Sequence, residues 1–360
     1  MLHAIFLAGG VGTRLWPESS QYRPKQFLKI VGDQTLLETT VRRVEPMVPR
    51  ERQLIVTGQS MIPLVYELFP GLDPNRILAE PVGRNTAPSI GLAAIRVLRD
   101  DPDATMVVLP ADQIVKQEQL FRETVRFAAE LVEEEPSRLV TLGTRPAFPS
   151  PAYGYIEQNE PVTGSTAEKW SGRIDAFSVR RFHEKPNRAK AKEFLATGRF
   201  RWNAGIFVWK ARTILEQLRL HEPEIADRLD TIASSVICGD FPEILDREFT
   251  AMKKISIDYA VLERAENILV LAANFDWDDL GTWTALDRIH ADEHDAAGNL
   301  VLNAKLHATA AQRNIVKSHD SNHLFALVGV DDLVVIQTAE ATLIAKKGDI
   351  ESGEWRVNDH

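Results

Sequence analysis

Short apolar runs alternate with helical stripes through the first two thirds of the chain, and that alternation leaves few folds open. His3–Ala8, Gln53–Thr57, Arg76–Ala79, Thr105–Leu109 and Arg138–Leu142 have the length and apolar content of strands. Between them the clearest helix runs through Ile90, Ala93, Ala94, Val97 and Leu98, one apolar face at helical spacing. Asn85 or Thr86 can cap it, and Pro88 suits its first turn. Strands alternating with helices predict an α/β fold with a mostly parallel sheet covered by helices. Such sheets bind ligands at the carboxyl ends of their strands.

From about Tyr153 the pattern loosens into a mixed region with more β signal. After about Ala285 it changes again. Asn299–Asn303, Asn314–Lys317, His323–Val330, Leu333–Gln337 and Ala341–Ala345 are short strand-like runs with few helical stretches. The expected division is therefore 1–289 and 290–360, the second part a small β-rich domain. Glu351–His360 is polar and expected to fray. No internal repeat stands out.

Among the 360 residues, Asp and Glu outnumber Lys and Arg, and the net charge is -9. A chain with this balance has no general attraction to nucleic acid or to an anionic membrane. Phosphate binding must come from a few placed cations. The single cysteine, Cys238, cannot form a disulfide within the chain, which fits a reducing cytoplasm. No signal peptide is recognisable at the start. No apolar run approaches the ~18–20 residues that span a bilayer.

The first strand runs into Gly9-Gly10-Val11-Gly12-Thr13-Arg14-Leu15-Trp16. The P-loop pattern fails, because no Lys-Ser or Lys-Thr follows these glycines. The dinucleotide fingerprint fails too: Leu15 stands where the last glycine belongs. The next helical stripe begins only near Leu36, so residues 9–34 read as a long loop interrupted by Pro17 and Pro24. Arg14 and Lys25 on one loop with exposed glycine amides would make a triphosphate cradle. The bland alternative is a tight turn after a strand. As an exposed loop residue, Lys25 is expected to matter more for turnover than for stability.

Carboxylates complete the set. Asp112 follows the run Thr105–Leu109, at the same edge as the glycine loop. Phe275-Asp276-Trp277-Asp278-Asp279-Leu280-Gly281 puts three acids around a tryptophan, and spacing does not choose among them. A hard cation takes one or two carboxylates and leaves its other positions to water and phosphate. Glu184 or Asn203 could hydrogen-bond sugar hydroxyls, and Lys185 could meet a phosphate. His183 is read as structural. No nucleophile elbow and no His/Cys metal motif is present. Cations, amides and carboxylates without a nucleophile suit phosphoryl-type transfer.

These motifs together resemble the sugar-nucleotide pyrophosphorylases, and within them the mannose-1-phosphate guanylyltransferases. The resemblance rests on Gly9–Leu15 with Pro24-Lys25-Gln26-Phe27, Trp16-Pro17, Glu80-Pro81-Val82-Gly83-Arg84-Asn85-Thr86-Ala87-Pro88 and Leu109–Asp112. It continues through Tyr153–Ile156, Glu184-Lys185-Pro186, Trp202–Phe207, Ser256–Glu263 and Trp277–Trp283. It implies a Rossmann-like nucleotidyltransferase domain followed by a left-handed β-helix. It implies transfer of GMP from GTP to mannose 1-phosphate with Mg2+, in a cytoplasmic homodimer.

Position by position, it implies that Gly9, Gly10, Gly12 and Thr13 hold the nucleotide phosphates, and that Arg14 and Lys25 neutralise them. Glu80, Gly83, Arg84, Asn85 and Thr86 would border the base. Asp112 and Asp279 would hold the metal, Gly154, Glu184 and Asn203 the sugar, and Lys185 its phosphate. Two departures stand out. Glu18-Ser19-Ser20 replaces a usual basic residue, and Phe148–Ala152 replaces a shorter turn. No isomerase domain is expected after residue 360. The competing expectations are another base and sugar pair (thymidylyl- or adenylyl-glucose, guanylyl-heptose), a non-catalytic regulatory relative, or a nicotinamide dehydrogenase, which the failed fingerprint disfavours.

Overall fold

Buried apolar runs become strands wherever neighbours cover both faces, and β1 (Leu2–Leu7) shows it, with Ala4, Ile5 and Phe6 wholly buried. The computed structural model describes residues 1–10, 12–235 and 241–352. Cys238 and the end of the polar tail, residues 353–360, lie outside the described residues. The strands that follow are β2 (Gln53–Gly58), β3 (Ile77–Glu80), β4 (Thr105–Pro110), β5 (Ile114–Val115), β6 (Leu139–Thr144), β7 (Tyr155–Pro161), β8 (Ala176–His183), β9 (Phe200–Lys210), β10 (Ile268–Ala273) and β11 (Trp277–Asp278).

The chain forms two compact units that interleave along the sequence. The first takes in Met1–Gly9, Leu37–Ala111 and Val115–Trp277; the second takes in Gly10–Leu36, Asp112–Ile114 and Asp278–His360.

The first unit holds one nine-stranded sheet in the order β3-β2-β1-β4-β9-β6-β10-β8-β7. The strands β3, β2, β1 and β4 pair in parallel, as do β6 and β10. Between these blocks β9 runs antiparallel to both β4 and β6, so the sheet is mixed. The parallel block aligns Leu7 with Pro110, so β1 and β4 end at one edge. The Thr86–Asp100 helix buries Ile90, Ala93, Ala94 and Val97 in the core that lines this sheet. Its cap is Asn85, whose side chain accepts from the Thr86 amide at 2.8 Å.

The second unit holds the glycine-loop segment and a β-domain built from β12 (Leu300–Leu302), β13 (Lys305–Thr309), β14 (Ile315–Ser318), β15 (Leu324–Val328), β16 (Leu333–Gln337) and β17 (Thr342–Lys346). The strands β12, β14 and β16 stack in parallel, with Leu300 beside Ile315 and Ile315 beside Val334. The pair β13 and β15 is parallel too, and β17 closes antiparallel on β16. Two fully buried asparagines stitch successive coils. Asn299 Oδ1 accepts from the backbone and side-chain amides of Asn314, both at 3.0 Å, and Asn314 Oδ1 accepts from the Leu333 amide at 2.9 Å. Such a ladder satisfies polar groups that burial would otherwise penalise.

Candidate active site

The glycine loop leaves β1 as two short 3-10 turns, Thr13–Leu15 and Lys25–Phe27. Gly10 and Arg14 are exposed, and Val11 and the Thr13 side chain are outside the described residues. Gly12 has φ +51, and a Cβ there would come within 2.8 Å of Lys25 Cβ and 3.0 Å of its amide nitrogen. Only glycine allows this approach of loop to loop. Lys25 corrects the sequence expectation of an exposed loop lysine: its residue is 8 % exposed. Its ammonium donates to Asp112 Oδ2 at 2.9 Å and also to the carbonyl oxygen of Asp279. Three sequence-distant site residues of the second unit therefore meet at one positive charge.

The three acids near Trp277 now separate. Asp278 accepts from Arg288 at 2.9 and 2.8 Å and from the Leu280 amide at 2.8 Å. Burial raises its pKa against the pull of Arg288. Asp276 is exposed on the first unit. Asp279 remains beside Lys25, with one carboxylate oxygen accepting from the Gly281 amide at 3.2 Å. Lys25 thus joins the Asp112 carboxylate to the backbone carbonyl of Asp279, and the Asp112 and Asp279 carboxylates are the hard oxygen donors of this group that could hold a divalent cation. Among the described residues no cluster of three or more His, Cys, Asp or Glu could hold a metal ion.

In the first unit, Glu80 ends β3, is buried, and bonds to the Ser89 hydroxyl; burial raises its pKa. Gly9 and Gly83 are exposed. The Arg84–Thr86 turn is sewn to a distant segment. Arg84 donates to the Thr250 carbonyl, the Ile255 amide donates to the Arg84 carbonyl at 3.3 Å, and the Ile257 amide donates to Thr86 Oγ1 at 2.8 Å.

A second group forms where three chain segments converge with Gly154. A Cβ on Gly154 would lie 2.5 Å from Glu184 Oε2 and 3.4 Å from Asn203 Cβ, so a side chain would fill the space beside both. The Asn203 amide donates to the Gly154 carbonyl at 2.9 Å. Asn203 Oδ1 accepts from the Gly205 amide at 3.0 Å and from Thr141 Oγ1 at 3.2 Å, which aims its Nδ2 at Asp258 Oδ1, 2.8 Å away. Lys185, with φ +45, turns outward and pairs with Glu184 at 3.0 Å.

Asp258 is the site residue that sequence reading missed, although it stands inside the quoted run Ser256–Glu263. It opens a π-helical turn, Asp258–Leu262, a distortion frequent at functional sites. Burial, followed by the Glu184 carboxylate, pushes its pKa up to about 6. Behind the group stands an aromatic wall. Tyr153 meets Trp202 at 4.8 Å and Trp277 at 5.6 Å between ring centroids, and Phe148 meets Trp202 at 4.8 Å. The unusual Phe148–Ala152 segment is thereby anchored, with Tyr155 donating its hydroxyl to the Ser150 carbonyl at 3.0 Å. His183 packs on Phe194 and Phe200, and burial lowers its pKa.

The chain matches the family model described as Nucleotidyl transferase over residues 3–296, and one described as MannoseP isomerase/GMP-like beta-helix domain over 308–350. It is 36 % identical over 359 residues to a mannose-1-phosphate guanylyltransferase of Escherichia coli K12, covering 97 % of this chain and 71 % of that one. It is 34 % identical over 350 residues to one of Klebsiella pneumoniae, covering 96 % and 71 %. A solved Thermus thermophilus protein described as a mannose-1-phosphate geranyltransferase superposes with a TM-score of 0.83 at 32 % identity, covering 98 % of each chain.

Proposed function

We infer that the reaction is guanylyl transfer to mannose 1-phosphate, and the premise is membership: the chain belongs to the nucleotidyl transferase family. The observation that carries the choice of substrates is similarity to guanylyltransferases over nearly the whole chain. The side chains support the chemistry. A sugar phosphate has a second pKa near ~6, so at neutral pH its oxygen is already a nucleophile. It attacks the α-phosphorus of GTP, the new O–P bond forms, the bond to the bridging oxygen breaks, and pyrophosphate leaves with the charge. No general base is needed, which agrees with His183 being occupied in an aromatic wall.

The protein's task is positioning and charge neutralisation. Arg14 is exposed and able to reach phosphate oxygens, and Lys25 is held close to Gly12 by the glycine's missing side chain. The amides of the Gly9–Thr13 segment would bind phosphate, and the Glu80–Thr86 segment would border the base. Asp112 and Asp279 would hold Mg2+, which when bound offsets charge on the triphosphate oxygens. Glu184, Asn203 and Asp258 would accept from and donate to sugar hydroxyls, with Gly154 keeping the space open. Lys185 would meet the sugar phosphate. We place the reaction in the cytoplasm of a homodimeric enzyme; the single cysteine suits a reducing compartment.

The test is pyrophosphate release with Mg2+, mannose 1-phosphate and each common nucleoside triphosphate in turn. Release with GTP alone is expected. Release with dTTP or ATP but not GTP would refute the guanylyl reading and leave the transfer chemistry standing.

A further inference from the structure

The glycine-loop segment and the C-terminal β-domain share one core. Leu15, Leu28, Ile30 and Leu36 pack in a cluster with Trp283, Leu300, Ile315 and Val334. Trp283 donates its indole N–H to the Trp16 carbonyl at 2.8 Å. Two residues later, Glu18 is 4 % exposed at its side chain and forms an ion pair with Lys317 of β14, itself 10 % exposed. His319 Nε2 lies 3.2 Å from the same Glu18 oxygen, and the Lys317 ammonium stands 5.9 Å over the Trp283 ring. The amides of Glu18 and Ser19 both donate to the Leu15 carbonyl at 3.0 Å, so the ion pair is coupled through a tight turn to the residue after Arg14.

A buried ion pair adds little net stability, because desolvation offsets the attraction, but separating its partners leaves an uncompensated buried charge, which resists displacement of the segments it joins. We propose that Lys317 is a positioning residue for the nucleotide loop: by holding Glu18 it fixes the turn that presents Gly12 and Arg14. Glu18 then has a role as an anchor to the β-domain rather than as a phosphate ligand. The effect on kinetics rests on the reading of the loop as a triphosphate cradle; the effect on loop order does not.

The experiment compares the full-length wild type with Lys317→Met and Lys317→Arg. Readouts are KM for GTP, KM for mannose 1-phosphate, and amide hydrogen exchange over residues 12–19. In Lys317→Met, KM for GTP should rise roughly ten- to a hundredfold, the cost of misplacing a binding group by about 1 Å. KM for the sugar phosphate should hold, exchange should quicken over 12–19, and Lys317→Arg should restore both. If Lys317→Met fails to fold, the double variant Glu18→Gln with Lys317→Met removes the pair without burying a lone charge, and the same split is expected. Unchanged exchange and KM, or both KM values rising together with a lowered melting temperature, would overturn the proposal. A wild type without turnover would count against the functional reading, and the exchange result would still decide whether Lys317 orders the loop.

Discussion

Replacing Asp258 by Asn should remove a stability cost that grows with pH. Burial, with the Glu184 carboxylate second, raises the Asp258 pKa from 3.8 to about 6. A carboxyl whose pKa is higher in the folded than in the unfolded chain keeps its proton longer when folded. The unfolded state then releases the proton first, and stability falls as pH rises through the window between the two values. The whole interval, about two units, costs about 3 kcal/mol once the pH is well above 6. Between about pH 5 and about pH 7.5 the cost grows by on the order of 1 kcal/mol. Asparagine does not titrate, and its carbonyl can accept the same bond that Asn203 Nδ2 makes to Asp258 Oδ1 at 2.8 Å. Urea unfolding of both proteins, followed by tryptophan fluorescence at several pH values, measures the difference in stability. Asp258→Asn should gain on the wild type by that increment as pH rises. A difference that stays flat, or that shrinks with pH, would refute the assignment of a raised pKa to this carboxyl.

Gly154→Ala should act on sugar binding with little effect on folding. The added Cβ would meet Glu184 Oε2, the movable end of a side chain, and Gly154 is not in a left-handed conformation that alanine resists. Loss of one charged hydrogen bond, about 1.5–3 kcal/mol, predicts kcat/KM for mannose 1-phosphate falling roughly ten- to a hundredfold. An equal rise in KM for GTP would contradict it. Lys25→Met should keep most of the buried stem, lower the melting temperature by only a few degrees, and leave Asp112 without its ammonium partner. Mg2+ should then stabilise the variant more than the wild type in thermal melts, since no ammonium competes for Asp112; equal shifts would show that it never did.

How much could be read beforehand differed by element. Leu333–Gln337 was legible to the residue, because the run is apolar and its central residues are buried. Lys305–Thr309 was not, because nearly every residue of it is exposed and its alternation rests on only Leu306 and Ala308. The Asn299 and Asn314 ladder was hard to read because the repetition of Asn299-Leu300-Val301 in Asn314-Ile315-Val316 is only three residues long, and the bond between the asparagines appears only when the coils stack. In the candidate site, Arg14, Lys25, Asp112, Glu184 and Asn203 stood out by type and position in motifs. Asp258 did not, since a lone aspartate in an apolar run gives no sign that burial will raise its pKa.

By itself the sequence determined the alternation of strands and helices and the glycine turn after the first strand. Those depend on residue type and short spacing, which act locally. Tertiary structure decided that β9 runs antiparallel between the parallel blocks and that Lys25 is buried on Asp112. It also decided that Asp279 rather than Asp278 stands by that lysine, and that the glycine-loop segment shares its core with the C-terminal strands. Each of these depends on which distant residue occupies the space beside a group, and a charge takes its meaning from those neighbours.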